Sequence, residues 1–261
     1  MDKPPGLVVD RSETQQGETL EDLLKDYYDT LVYHSEDIPQ RMGIVHRLDK
    51  DTSGVLLVAK TQAALENLQN QFKMRKTKKE YLALVHGLVE RGGVVEGAIG
   101  RNPVKREKFT VFTTAKSKGA NVIHPPGGLA WHLKEAVTEY EPLKKYQISN
   151  IKYQIVFGDF NKIQIRKLER MGYNHFTLLT CKPLTGRTHQ IRVHLKYKGF
   201  PIVADQKYVG RKMYRLDKRW CPRMFLHAKK IGFKHPVSGM WMEVESELPE
   251  DLKVALDNLD E

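Results

Sequence analysis

Residues 46–59 read His46-Arg47-Leu48-Asp49-Lys50-Asp51-Thr52-Ser53-Gly54-Val55-Leu56-Leu57-Val58-Ala59, nine polar-rich positions followed by an unbroken apolar run. The run predicts a buried strand. The nine residues before it predict a loop that gathers a carboxylate, an arginine, two hydroxyls and a glycine. A polar loop hung on a rigid strand is a common way to hold reacting groups in place.

Working outward, Pro4-Pro5-Gly6 predicts a turn and Leu7-Val8-Val9 a short strand. Thr19 opens a helix with Asp22 at the capping-box position and Leu20, Leu23, Leu24, Tyr27, Tyr28 and Leu31 along one face. After the apolar run, Thr61 caps a second helix with a stripe of Leu65, Leu68 and Phe72, ending in the basic run 73–79. Strands are then expected at 80–86, 94–99, 109–113, 137–140, 151–157, 163–168 and 175–181. A succession of short strands after a helix predicts an α+β plan, a mostly antiparallel sheet with helices packed on it. Residues 114–136, centred on Pro125-Pro126-Gly127-Gly128, read as a long loop. Residues 188–198 read as a helix stopped by Gly199, although the alternation of Ile191, Val193 and Leu195 also allows a strand. A strand at 200–203, a hairpin of 225–234 with 240–244, and an acidic helix carrying Leu252, Leu256 and Leu259 complete the reading. No repeat or linker divides the chain, so residues 1–261 are expected to form a single domain.

Composition narrows the function. Hydrophobic residues at 40% and charged residues at 29% are globular values. Cys181 and Cys221 have neither metal-like spacing nor a disulfide framework, which points to a reducing cytoplasm. No stretch approaches the roughly 20 apolar residues of a membrane span. The last 19 residues carry eight acids and one base, which leaves +18 for the preceding 242 against +11 for the whole chain. An excess of this size suits a polyanion partner, whose phosphates shed counterions onto lysines and arginines. The basic run 73–79 lies just before Tyr81. A second basic segment, 207–223, interleaves Tyr208, Tyr214 and Trp220, a composition that fits either stacking on bases or structural anchoring.

Glycine-rich phosphate loops, dinucleotide fingerprints, Cys-x-x-Cys pairs, His-Glu-x-x-His and Gly-x-Ser-x-Gly are all absent from the sequence. A lone loop aspartate is ordinarily a turn or cap residue. What raises Asp49 above that is the second polar cluster, Lys182-Pro183-Leu184-Thr185-Gly186-Arg187-Thr188-His189-Gln190-Ile191-Arg192-Val193-His194-Leu195. If it opens a helix, His189 and Arg192 share a face near its N-terminus, and an arginine there could keep Asp49 ionised and aimed. His46, His189 and His194 read as hydrogen-bonded scaffold.

The block His46-Arg47-Leu48-Asp49-x-x-Thr52-Ser53-Gly54 with Ala59-Lys60 resembles the signature of the RluA-type pseudouridine synthases. Further blocks follow in the family's order: Asp2-Lys3-Pro4-Pro5-Gly6-Leu7-Val8-Val9, Lys78-Lys79-Glu80-Tyr81-Leu82-Ala83, the cluster 182–195, and Leu226-His227-Ala228 with His235-Pro236. The resemblance implies a pseudouridine synthase fold, a bent, mostly antiparallel mixed sheet flanked by helices. It implies that Asp49 is the catalytic aspartate, that Tyr81 packs on the target uracil, that Arg192 is the salt-bridge partner of Asp49, and that Arg47 fills the gap left by a flipped nucleotide. Thr52, Lys79, Arg187 and His189 are the further substrate-binding candidates. The implied reaction isomerises uridine in ribosomal or transfer RNA with no cofactor and no metal, in a cytoplasmic monomer. Three departures are visible. Met1-Asp2 leaves no room for the strand that usually precedes the Lys-Pro-x-Gly turn, so a truncated first strand and an open sheet edge are expected. The small N-terminal RNA-binding module is expected to be missing. The segments 114–135 and 148–174 look long, which suggests an idiosyncratic target. The alternative reading is a non-catalytic RNA-binding or ribosome-assembly factor on the same scaffold.

Overall fold

The computed structural model describes residues 1–11, 17–30, 38–112 and 133–260. They divide into two compact units, one of Met1–Tyr81 with His227–Leu248 and one of Leu82–Leu226 with Pro249–Glu261.

The first unit is built around β2 (Ser53–Val55). On one side it pairs antiparallel with β1 (Asp2–Lys3), and on the other it pairs parallel with β8 (Leu226–Lys234), Ser53 opposite His227 and Gly54 opposite Ala228. The start of β3 (Lys78–His86) lies next to β8, and β9 (Trp241–Glu245) pairs antiparallel with Lys230–Lys234 of β8. The strand is shorter than the apolar run predicted. Residues 56–59 stay largely buried, but in place of a continued strand ladder they make an isolated bridge of Val58 to Ile44 and separate hydrogen bonds from Leu56 N–H to the Met1 carbonyl (3.0 Å) and from Ala59 N–H to the Gly43 carbonyl (2.8 Å). The edge expected to lie open is occupied by Asp2–Lys3. The strand expected at 7–9 is a single bridge from Val8 to Thr19. Helix α1 (Leu20–Thr30) starts where its capping box predicts: Thr19 N–H donates to Asp22 Oδ2 (3.0 Å) and Asp22 N–H to Thr19 Oγ1 (3.3 Å). Leu31 of the predicted stripe lies outside the described residues. Helix α2 (Gln62–Lys73) is capped by Thr61, whose hydroxyl accepts from Ala64 N–H, and it lays Leu65, Leu68 and Phe72 on Val45, Val55, Leu57 and Phe233.

The second unit continues from β3 in the order β3-β7-β6-β4-β5. Its longest strand, β6 (Lys134–Gln147), pairs antiparallel with β4 (Gly93–Arg101) and with β7 (His175–Pro183), and β5 (Phe109–Phe112) closes on β4. The mixed, mostly antiparallel sheet agrees with the α+β expectation. Residues 134–136 of the predicted loop open β6, and 114–132 lie outside the described residues. Helix α5 (Gln190–Tyr197) packs Val193 onto Ile99, Val111, Ala136 and Tyr208, and ends before Gly199, which takes a φ of 88°.

Two predicted strands are helices. Residues 151–157 fall in α3 (Asn150–Val156), where Ser149 Oγ accepts from Lys152 N–H, and 163–168 in α4 (Lys162–Arg170), which carries a full capping box between Asn161 and Gln164. The apolar spacing of Tyr153, Ile155 and Phe157 and of Ile163 and Ile165 is strand-like, but Ile155 and Ile163 face solvent, while Tyr153, Phe157 and Leu168 are buried. The local caps outweigh the weak strand preference of β-branched residues. The strand expected at 200–203 is reduced to one bridge between Ile202 and Val85. Helix α6 (Arg211–Asp217) interrupts the second basic segment, and α7 (Glu250–Asp257) follows the hairpin.

A Cβ on Gly54 would sit 2.2 Å from the Ala228 carbonyl oxygen, and Gly54 has a φ of 115°. Gly54→Ala is therefore expected to destabilise the protein by about 3 kcal/mol or more, measured by urea unfolding, whereas Gly239→Ala, at a positive φ with open space around it, should lose only about 1–2 kcal/mol.

Candidate active site

The Asp49 loop is braced from three directions within the first unit. Leu48 is buried in the cluster of Ile44, Leu56 and Ala228, and Thr52 N–H donates to the Asp49 carbonyl (3.1 Å), closing a turn. The Lys50 carbonyl accepts from Gly6 N–H (2.9 Å) and from Lys3 Nζ (3.0 Å). Lys3 is wholly buried, and its ammonium also donates to the carbonyls of Pro4 (2.7 Å) and Leu7 (2.9 Å), so one cation ties the N-terminal turn to the loop. Below the loop, Ser53 Oγ meets His227 Nδ1 (3.0 Å), His227 Nε2 meets the Ser246 carbonyl (3.1 Å), and Ser246 Oγ donates to Asp2 Oδ1 (2.8 Å). Sequence reasoning placed Lys3 and His227 inside matching blocks without a role. Their spacing gives no signal that a lysine ammonium will be buried.

Tyr81 packs its ring against the cluster that holds Leu48. Its hydroxyl is held protonated well above the ordinary phenol range, first by burial and then by the Asp49 carboxylate. The structure thus brings Asp49 and Tyr81 within electrostatic reach of one another. His46 accepts from Leu57 N–H through Nε2 (3.0 Å) and stacks on Phe72 at 4.6 Å between centroids. Burial, with the nearby Lys79 charge, pushes its pKa down to about 3, so it is a neutral scaffold residue, as expected. Arg47 is exposed and pairs with Asp10 Oδ2 (2.9 Å), while Arg41 holds the other carboxylate oxygen of Asp10. Thr52 is buried, with a hydroxyl that has no hydrogen-bond partner, so it sits inside the turn.

Lys79 lies in the first unit, at the start of β3, and Arg187, His189 and Arg192 lie in the second. Arg192 is buried and grips Asp205 with two parallel hydrogen bonds, Nε to Oδ2 at 2.7 Å and Nη2 to Oδ1 at 2.8 Å, with its guanidinium 5.1 Å from the Tyr208 ring centroid. Asp205 also accepts from the N–H groups of Lys207 and Tyr208. It was not singled out from the sequence, where an aspartate next to a basic segment carries no special pattern. His189 takes a left-handed φ of 56° at the start of α5 and meets the Tyr208 hydroxyl through Nδ1 (2.9 Å). Arg187 donates Nε–H to the Glu135 carbonyl (2.9 Å). Gln190 locks the entry to the helix. Its Oε1 accepts from Thr185 Oγ1 and Arg187 N–H, and its Nε2 donates to the Val137 carbonyl and Thr138 Oγ1. Of the interleaved aromatics, Tyr208 and Trp220 are buried anchors, Trp220 Nε1 donating to Tyr173 OH at 3.0 Å. Asp49 and Arg192 fall in different units, so their pairing stands as a proposal.

Comparison with known proteins settles the family. The RNA pseudouridylate synthase profile matches residues 1–197. The chain is 34% identical over 265 residues to an uncharacterized RNA pseudouridine synthase, YlyB, of Bacillus subtilis, covering 99% of this chain and 69% of that one. It is also 34% identical over 263 residues to ribosomal large subunit pseudouridine synthase D of Pseudomonas aeruginosa, covering 96% and 65%. The chain belongs to the RNA pseudouridylate synthase family. Its fold is that of solved pseudouridylate synthase domains: human RNA pseudouridylate synthase domain containing 4 aligns with a TM-score of 0.67 at 22% identity, over 100% of this chain and 89% of that one. The chain thus spans about two thirds of the length of these two bacterial synthases. Among the described residues of this pseudouridylate synthase, no group of three or more His, Cys, Asp or Glu side chains could hold a metal ion, and no helix is long and apolar enough to cross a membrane.

Two outcomes test this architecture. Lys3→Met strips the carbonyls of Pro4, Leu7 and Lys50 of their shared, buried donor and is expected to cost about 3 kcal/mol in chemical denaturation. His46, held near 3, and His194, held near 4 by burial, stay neutral in the fold but protonate in the unfolded chain below about pH 6.5. The unfolded state then binds more protons, so stability falls as pH drops from about 6.5 toward 4. His46→Gln, whose amide oxygen can still accept from Leu57 N–H, should flatten the loss of melting temperature between pH 7 and pH 5. An unchanged loss would refute the assignment.

Proposed function

We propose that this chain isomerises uridine to pseudouridine in RNA, with Asp49 as the catalytic carboxylate and large-subunit ribosomal RNA as the target class. The observation that carries this reading is the Asp49 carboxylate, presented on a braced loop within electrostatic reach of the Tyr81 phenol, in a member of the pseudouridylate synthase family. In this reading a uridine leaves its stack, which costs a few kcal/mol, and Arg47, exposed at the rim of the loop, occupies the gap. Tyr81 supports the flipped uracil with its ring while its suppressed acidity keeps the hydroxyl neutral. Asp49 attacks the ribose C1′ or takes a sugar proton as the N1–C1′ bond breaks. The base turns, C5 bonds to C1′ as Asp49 leaves C1′ or returns the sugar proton, the C5 proton passes to solvent and N1 takes one up, so nothing is oxidised or reduced. Arg192, oriented by Asp205, is in this reading the salt-bridge partner of Asp49. Lys79 and Arg187 contact phosphates. Thr52 and His189 act on substrate through the turn and helix start they hold.

Ribosomal RNA is preferred over transfer RNA because relatives such as that of Pseudomonas aeruginosa are named as large-subunit synthases. Free, buried Cys181 and Cys221 suit a reducing cytoplasm, and we propose that the chain works there as a monomeric catalytic domain. The non-catalytic alternative rests on a missing first strand and on the long segments, and the two-residue β1 pairs with β2 where that strand is expected.

The test is tritium release from ribosomal RNA labelled at carbon five of uracil. Wild type is expected to release tritium, and Asp49→Asn to lower the rate by more than about 1,000-fold with thermal stability nearly unchanged. Tyr81→Phe should retain most activity, while Tyr81→Ala should lose about 10- to 100-fold with the stacked base. Release by Asp49→Asn at the wild-type rate would overturn the assignment, and no release by wild type from ribosomal RNA would overturn the reading as a whole.

A further inference from the structure

Helix α6 and the residue pair after it place five cations within nine positions, Arg211, Lys212, Arg215, Lys218 and Arg219, and none of them belongs to the blocks that carry the candidate catalytic residues. Arg211 and Arg215, four apart, share one side of the helix, where like charges repel, and Arg219 follows just beyond its end. The one acid of α6 does not relieve them. Asp217 is fully buried, and its carboxylate accepts from Tyr173 OH (2.8 Å) and Ala204 N–H (2.8 Å) and meets His86 Nε2 (3.0 Å). A stretch that accumulates this repulsion on an exposed face has a reason beyond folding.

The row lines a groove of about 390 Å³ formed by Phe160, Arg211, Lys212, Arg215, Leu216 and Arg219. Its aromatic wall, the partly exposed Phe160, comes from the long segment 148–174. Arg219 is fixed there: its guanidinium lies 5.0 Å from the Phe160 ring centroid and 5.3 Å from that of Phe157, Nε donates to the Val156 carbonyl (3.1 Å), and Asp159 holds Nη2. Lys212 Nζ reaches the Met171 thioether (3.2 Å) at the end of α4. Arg211 and Arg215 project from the same helix with exposed side chains. Exposed Lys162, Arg166, Lys167 and Arg170 on α4 add to the positive field, with Glu169 as the acid of that helix.

We infer that this groove binds RNA, taking backbone phosphates on Arg211 and Arg215 and an unpaired base against Phe160. Guanidinium forks match phosphate oxygens in pairs, and an aromatic face between cations is the arrangement that accepts a base next to its own phosphate. The inference rests on the proposal that the substrate is RNA and extends it from the reacting uridine to flanking RNA, with 148–174 as a determinant of target choice.

Binding is measured by fluorescence anisotropy with a labelled transcript of large-subunit ribosomal RNA, a labelled 12-nucleotide oligouridine and a labelled polyglutamate peptide. Arg211→Ala with Arg215→Ala is expected to weaken transcript binding about 10-fold and to lower the slope of log K against log salt by about 0.7–0.9 per charge removed. Lys25→Ala with Lys253→Ala removes two charges elsewhere and should change binding less than about 2-fold. Phe160→Ala should weaken oligouridine binding about 5- to 10-fold with the salt slope unchanged. Circular dichroism melts confirm that each variant is folded. Transcript binding by the double arginine variant within 2-fold of the lysine control overturns the inference, as does a loss confined to polyglutamate, which would indicate a protein partner. These binding changes are independent of turnover, so a wild type inactive in tritium release would refute the isomerase reading while leaving the groove assignment to stand or fall on the anisotropy.

Discussion

Gly54 passes so close to Ala228 that no side chain fits between them, and much else in the first unit depends on this contact. It lets β2 pair in parallel with β8 on one side while β1 lies antiparallel on the other. A strand held on both edges cannot shift register without turning its side chains to the wrong face. The loop that enters this strand therefore inherits a fixed end. The buried Lys3 ammonium, shared among three carbonyls, then secures the loop at Lys50. The result is a carboxylate on a loop whose backbone is tied down at Asp49 and Lys50.

The buried ionisable groups are mostly put to structural use. His46 and His194 are kept neutral by burial, and His227 links Ser53 to Ser246. Asp205 and Asp217 each satisfy several donors, Asp205 clamping Arg192 and Asp217 joining His86 to Tyr173. A buried carboxylate is tolerated only when its lone pairs are filled, and both of these are. Tyr81 is different, because the charge that acts on its hydroxyl is the carboxylate of Asp49.

The site was legible where chemistry is written locally. Asp49, Tyr81 and Arg192 are candidates because they stand in blocks whose residue types and order resemble the family's, and the capping box at Thr19 and the cap at Thr61 mark two helix starts. Asp205 and the buried role of Lys3 were not legible, since each depends on partners 13 to 47 positions away in the chain. The segment 148–174 reads as strands because apolar residues recur at every second position in Tyr153-Ile155-Phe157 and Ile163-Ile165, yet Ile155 and Ile163 face solvent and the caps at Ser149 and Asn161 govern the backbone. The aromatics of 207–223 were ambiguous in the sequence, and burial turned Tyr208 and Trp220 into anchors.

By itself the sequence determined the α+β class, the ordered family blocks, the excess of positive charge and the absence of the usual nucleotide and metal motifs, because each is carried by residue type and short-range spacing. Only the tertiary structure decided which polar residues are buried and what satisfies them. It decided that Lys3 is a clamp and not a surface cation, that Arg192 holds Asp205, that Thr52 lies inside its turn, and that the arginines of α6 stand together around Phe160. The physical reason is that desolvation, hydrogen bonding and charge pairing are set by neighbours in space, and most of those neighbours are distant in the chain.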